Sequence, residues 1–362
     1  MSGLKSTNAA AFSGGAGNDT AMKVDLFLAL VRSGLYERPL AAEELASVRA
    51  ATDADWAAIL KVARQQTVLG QLYQALFQLP NDVRPPEAVV TALMSDALRA
   101  VRHTYAAAKA SEDLVERLRA AGLSPVVMKG VSVAAFYRHP EFRTAGDIDI
   151  YLPASEIKQA AALLDESAVS PDRSRTGRFE GVAVDLHDRY FDLHCGTRKL
   201  PAVGTPEATL LMLSAHILKH AIGPGVGLRQ LCDMTMACRG LAGSFDPTRL
   251  RKTFRRTGTL RWNRLLFSFL VERLGLDEQI FAQIFGTARV ASAPLLNIIL
   301  EGGNFGLYAA ARRDKIAAGA AHRKRDTLRR FLHRLPFSLR FAPRETLATI
   351  WTLIRGNLRR SQ

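Results

Sequence analysis

The stretch from Lys129 to Leu152 reads K-G-V-S-V-A-A-F-Y-R-H-P-E-F-R-T-A-G-D-I-D-I-Y-L and decides how the rest of the chain is to be understood. It closes on Asp147-Ile148-Asp149, two carboxylates one residue apart in an apolar run. On a β-strand, residues i and i+2 share a face, so both carboxylates point one way while Ile148 and Ile150 point into a core. Two like charges held this close repel. The usual physical reason to keep them is a divalent cation between them, and hard oxygen ligands suit Mg²⁺, which shares its shell with substrate phosphates. A strand with an acidic solvent face is the plainer reading of a bare D-x-D.

The neighbours tilt the balance towards the metal. Upstream, Ser124 to Met128 reads as a short buried strand that breaks at Lys129-Gly130, and Val131 to Tyr137 follows with helical spacing. A strand turning at glycine into a helix leaves unpaired backbone N–H groups, a natural seat for phosphate oxygens. Lys129 and Arg143 add positive charge to that seat. Downstream, Gly181 to His187 alternates like a further strand and supplies a third carboxylate, Asp185. A phosphate cradle, an acid pair and a later strand acid make up a two-metal phosphoryl-transfer kit.

This order of motifs resembles the DNA polymerase beta-like nucleotidyltransferase superfamily: hydrophobic-Gly-(Gly/Ser), a spacer, hydrophobic-Asp-hydrophobic-(Asp/Glu), then an acid on a later strand. More narrowly, the chain is similar to a largely uncharacterised bacterial nucleotidyltransferase family. The matching stretches are Met128-Lys129-Gly130, Arg143 to Asp149, Val184 to His187, His216 to His220, Leu228 to Asp233, Gly302 to Gly306 and Pro343-Arg344-Glu345. The likeness runs from about residue 55 to the C-terminus, and R-x-x-G-D-I-D is its most specific part. Val131 stands where the superfamily turn has a second glycine or serine, with Ser132 next, and the spacer to Asp147 is a little long.

The resemblance implies an α+β fold, a small mixed-sheet nucleotidyltransferase core flanked by helical N- and C-terminal regions. It implies transfer of a nucleotidyl group from a nucleoside triphosphate such as ATP to an acceptor hydroxyl, releasing pyrophosphate. Asp147 and Asp149 would hold two Mg²⁺ ions and Asp185 would complete a shell. Gly130 and Ser132 would receive the β- and γ-phosphates, with Lys129 or Arg143 offsetting charge. Three other classes stay open. One is a phosphotransferase using the same cradle. Another is a nucleic-acid-binding protein working through its tail. The last is a membrane-peripheral protein of a surface-polysaccharide pathway, a context that only the resemblance suggests.

Composition sets the outer bounds. The 362 residues, 48% hydrophobic and 23% charged, make ordinary globular material with room for two domains. Cys195, Cys232 and Cys238 show no C-x-x-C pairing, so a reduced, cytoplasmic protein is expected. No signal peptide is seen in the first twenty residues, and no apolar run approaches the ~18–20 residues that cross a bilayer. Residues 312–362 carry 14 Lys/Arg against 3 Asp/Glu, net +11 of the total +15, which leaves +4 for the body. Such a tail attracts polyanions, whether nucleic acid or an anionic membrane face on the inner side.

Five regions are expected: a disordered lead (1–20), a helical region (21–121), the nucleotidyltransferase core (122–200), a helical domain (201–310) and the basic tail (311–362). Ala54 to Leu79 and Pro86 to Ala121 show helical periodicity, the second ending at Gly122. Asp165 to Gly177 reads as a polar loop, and Gly302 to Gly306 as a glycine turn. His216 and His220 have the i, i+4 spacing of a zinc pair, but no third ligand is evident, so a polar helical contact is the expectation. His187 shares Asp185's side of the strand, as a hydrogen-bond partner or a surface histidine. Asp192, in a second D-L-H, competes with Asp185 as third acid; the cleaner alternation of Val182 and Val184 favours Asp185. Arg229 and Asp233 read as a surface i, i+4 pair. Leu347, Ile350, Trp351, Ile354 and Leu358 fall on one narrow arc of a tail helix, suited to docking on the body or to a membrane surface.

Overall fold

The computed structural model describes residues 17–169, 175–223, 225–302 and 320–358. The fold is α+β, largely helical with one small mixed sheet. The chain divides into two compact units. One comprises Ala29–Leu60 and Val68–Tyr190; the other comprises Met1–Leu28, Lys61–Thr67 and Phe191–Gln362.

Before the sheet run helices α1 (Gly17–Tyr36), α2 (Ala42–Ala50), α3 (Asp53–Gln66), α4 (Leu69–Leu76) and α5 (Glu87–Ala120). The periodicity over Ala54 to Leu79 is thus split between α3 and α4. Thr67, at φ 59°, takes the left-handed conformation that ends a helix turn. Pro86 opens α5 and Gly122, at φ 79°, follows its end, the usual asymmetry of helix termini.

The sheet contains β1 (Val126–Val127), β2 (Ile148–Tyr151), β3 (Glu166–Val169), β4 (Arg175–Phe179) and β5 (Val182–His187), in the order β1-β2-β5-β4-β3. Two short helices, α6 (Val131–Ala134) and α7 (Ile157–Ala161), lie between the strands in sequence. β2 and β5 pair in parallel, and the remaining pairs are antiparallel. Glu180 and Gly181, both at positive φ, turn β4 directly into β5, the backbone that a two-residue hairpin demands. Much of Asp165 to Gly177, expected as a loop, is therefore the β3–β4 pair; residues 170–174 lie outside the described residues. Its polar side chains hid the strands, which pair through backbone alone.

Period-two geometry sorts the strand residues. Ile148, Ile150, Val184 and Leu186 are fully buried and pack with Ala107, Ala110, Leu114 and Leu118, spaced three and four apart on α5. The opposite face carries Asp149, Asp185 and His187. A close contact also holds the segment that leads into β2. A Cβ on Gly70 in α4 would stand 1.8 Å from the carbonyl oxygen of Phe142, the residue before Arg143. Gly70→Ala should therefore push the 142–147 segment away and cost about 1–3 kcal/mol. A thermal melt checks this, with wild-type stability the contrary result.

The other unit contains α8 (Pro206–Ile222), α9 (Leu228–Gly240), α10 (Pro247–Arg256), α11 (Leu260–Leu274), α12 (Glu278–Phe285), α13 (Ala293–Gly302), α14 (Ala320–Phe341) and α15 (Pro343–Leu358). Trp262, Phe254, Phe267 and Phe269 are fully buried there. The indole N–H of Trp262 reaches Ser214, whose hydroxyl donates to Asn263 Oδ1 at 2.6 Å, so these buried polar groups are satisfied. Glu345, 2% exposed, accepts from the backbone N–H groups of His194 and Cys195 at 2.7–3.0 Å.

Arg229 and Asp233 are buried, not on the surface as their spacing suggested, because nearly all of α9 is enclosed. On α15, Leu347 and Trp351 are exposed and Ile350 is half-buried. The side chains of Ile354 and Leu358 lie outside the described residues, as do residues 303–306 of the expected glycine turn and almost all of the expected lead.

Candidate active site

The parallel register sets Asp149 of β2 beside Asp185 of β5, and Tyr151 beside His187. Asp149, Asp185 and His187 thus converge on one face, their ligand atoms all within 4.8 Å of one another. Asp149 is 4% exposed and its Oδ1 receives two nitrogens, His187 Nε2 at 2.7 Å and Lys129 Nζ at 2.9 Å. Tyr151 and Tyr190 meet edge to face at 5.6 Å beyond them.

The electrostatics follow from this packing. Burial alone would raise the Asp149 carboxyl, but Lys129 and His187 overcome it and hold the group down at about 2. Asp185 goes the other way: burial, then the charges of Asp147 and Asp149, push it up to about 6. Asp147 is half-buried immediately before β2 and makes itself felt at Asp185 as a repelling charge. Two carboxylates and an imidazole gathered this closely are a donor set that can hold a divalent cation, the acid oxygens being its hard donors. A cation would also relieve the repulsion at Asp185.

The turn before α6 has the geometry that glycine permits. Gly130 sits at φ 68° and ψ −111°, where a side chain would be strained. Ser132 donates its hydroxyl to the Met128 carbonyl, and α6 is a single turn of four residues, shorter than the helix expected through Tyr137. Arg143 is buried, with its guanidinium donating to the Thr144 carbonyl at 3.3 Å and its own carbonyl accepting from Thr104. Of the two expected cations, Lys129 stands on the acid cluster through Asp149.

Asp192, the rival third acid, is engaged elsewhere. It accepts from His216 Nδ1 at 3.1 Å and from Lys219 Nζ at 3.0 Å, partners that hold its carboxyl well below the usual range against the effect of burial. His216 and His220 pack ring to ring at 4.4 Å. They join no three-ligand cluster among the described residues. His187 is the residue that the sequence placed on the right face without revealing its closeness to Asp149. Only the non-local register between β2 and β5 brings the two together.

A mixed sheet that presents carboxylates from two parallel neighbouring strands, beside a glycine turn, has the layout of a metal-dependent enzyme of phosphate transfer. The family model described as an uncharacterised nucleotidyltransferase matches residues 52–275, and the chain belongs to that nucleotidyltransferase family. No curated protein and no solved structure gives a match. Among the described residues, no helix is long and apolar enough to cross a membrane.

Proposed function

We propose that the protein transfers a nucleotidyl group from a nucleoside triphosphate to an acceptor hydroxyl, with release of pyrophosphate. The observation that carries this is the meeting of Asp149, Asp185 and His187 within 4.8 Å on one sheet face. In the reaction the acceptor oxygen bonds to the α-phosphorus while the bond to the bridging oxygen of the β-phosphate breaks. Mg²⁺, as two ions on the family's pattern, would be held by Asp147, Asp149 and Asp185, lowering the pKa of the attacking hydroxyl and offsetting phosphate charge.

The chain's own residues then have defined parts. Asp149 is kept ionised by Lys129 and His187. Asp185, set beside Asp149 by the parallel register, would complete the ion's shell, and the proton of the acceptor hydroxyl leaves to solvent water. His187 orients the Asp149 carboxylate through Nε2. Gly130 and Ser132 line the turn that receives the β- and γ-phosphates, Lys129 swings from Asp149 to those oxygens, and Arg143 clamps the loop leading into Asp147. Positioning and charge stabilisation supply the rate. Incubating the protein with α-labelled triphosphates and candidate hydroxyl acceptors should give a labelled acceptor and pyrophosphate. A nucleoside diphosphate product would mean γ-phosphoryl transfer and remove this reading.

For the tail, we propose contact with an anionic membrane surface on the cytoplasmic side. The supporting observation is that Leu347 and Trp351 stand 59% and 55% exposed on a helix within a segment of net charge +11. Each basic residue near the headgroups adds roughly 1 kcal/mol. Salt-sensitive binding to phosphatidylserine vesicles, lost in Leu347→Ser/Trp351→Ser, is expected. Equal binding by the variant would leave charge alone, which nucleic acid satisfies as well.

A further inference from the structure

A second charged feature lies wholly within the helical unit and shares no residue with the acid cluster. Lys199, Leu200, Pro201, Arg249, Lys252, Thr253 and Arg256 line a cavity of about 280 Å³, and none of them is acidic. Helix α10 supplies most of this wall. It carries Arg249, Arg251, Lys252, Arg255 and Arg256 and no Asp or Glu over its ten residues. Arg249, Lys252, Thr253 and Arg256 are spaced three, four and seven apart, so they share one face. Like charges at that spacing destabilise a helix unless something compensates them.

The opposite wall is a loop held against the end of the same helix. A Cβ on Gly196, at φ 64°, would stand 2.6 Å from the Arg256 carbonyl oxygen, so the loop touches the helix backbone to backbone there. Three residues on, the Arg256 guanidinium donates to the Lys199 carbonyl. Lys199 itself sits at φ 55°, a conformation that non-glycine residues rarely take. The clasp thus fixes a lysine in a strained backbone across from an arginine-lysine face. Among the described residues, Lys199, Arg249 and Lys252 form no ion pair.

We propose that this cavity is an anion site that receives the diphosphate group of a phosphorylated ligand. Four cations around one cavity call for a multiply charged partner, and tetrahedral phosphate oxygens accept from several directions at once. Arginine forks grip such oxygens two at a time, while lysines act as mobile point charges. The volume lies below the ~300–1,000 Å³ of pockets that enclose a whole small ligand. It therefore takes the phosphates and leaves the remainder of the ligand outside. This assignment is independent of the catalytic one.

Titration calorimetry of the full chain with inorganic pyrophosphate, in excess EDTA so that no divalent cation serves the acid cluster, tests it. One site is expected, weakening as salt rises. Arg249→Gln/Lys252→Gln should bind about tenfold or more weakly, since two charged donors are lost. Lys199→Gln, from the other wall, should weaken it as well. All three positions are exposed, so the variants should melt no lower than wild type. Lys129→Gln should bind pyrophosphate as wild type does, which separates this site from the phosphate seat at the Gly130 turn. ADP should bind within a few-fold of pyrophosphate, as a site reading phosphates alone requires. Absent binding, undiminished binding in the α10 double variant, equal competition by sulfate, or a much stronger preference for ADP would each overturn the proposal.

Discussion

Asp149→Asn is expected to lower nucleotidyl transfer by about 10³-fold or more while the protein stays folded. The substitution keeps the shape of a side chain that is 4% exposed but removes the charge on which Lys129 and His187 converge. Charge stabilisation by a metal is worth several kcal/mol in the transition state, and each ~1.4 kcal/mol is a factor of ten. Some stability should go too, about 1–3 kcal/mol, because Lys129 loses its ion pair with a buried carboxylate. Circular dichroism beside the activity assay separates the two effects. Wild-type turnover in a folded variant would remove Asp149 from the chemistry.

Asp185→Asn should also abolish turnover, yet move stability the other way. With no cation present, burial first and then the charges of Asp147 and Asp149 push the Asp185 carboxyl up to about 6. At pH 7.5 in EDTA, neutralising it removes that repulsion, so the variant should melt at or above the wild-type temperature. Adding Mn²⁺ should raise the melting temperature of the wild type and leave the variant nearly unmoved, because only the wild type gains a ligated ion. A variant that melts lower in EDTA, or gains as much from Mn²⁺, would contradict the arrangement of charges described here. Activity that falls while stability rises is what a site retained for function should display.

What the sequence made legible, and what it concealed, divides along local and non-local lines. Period-two alternation needs only neighbours along the chain, so Ile148 and Ile150 could be turned inward and Asp185 and His187 placed on one face from the letters alone. Gly130 and the end of α5 at Gly122 were legible for the same reason, since backbone conformation is a local property. Cross-strand partnership is not local. That Asp149 lies opposite Asp185 depends on a parallel register whose strands are separated by more than thirty residues, and His187 reaches Asp149 only through it. The β3–β4 pair was concealed by polar side chains such as Glu166, Arg175 and Arg178, which a strand with one open face tolerates. Arg229 and Asp233 read as a surface pair because spacing on a helix says nothing of what covers it. The basic cavity joins a loop lysine to a helix some fifty residues further on, which no spacing rule connects.

On the proposed reading a divalent cation sits between Asp149 and Asp185 while His187 holds Asp149 through Nε2. Anomalous diffraction from crystals soaked with Mn²⁺ and a non-hydrolysable nucleoside triphosphate would locate it. A manganese peak bonded to oxygens of Asp149 and Asp185 is expected, with triphosphate oxygens completing its shell beside the Gly130 turn and Lys129 released from Asp149. Manganese absent from these residues, or triphosphate bound with Lys129 still seated on Asp149, would contradict that reading.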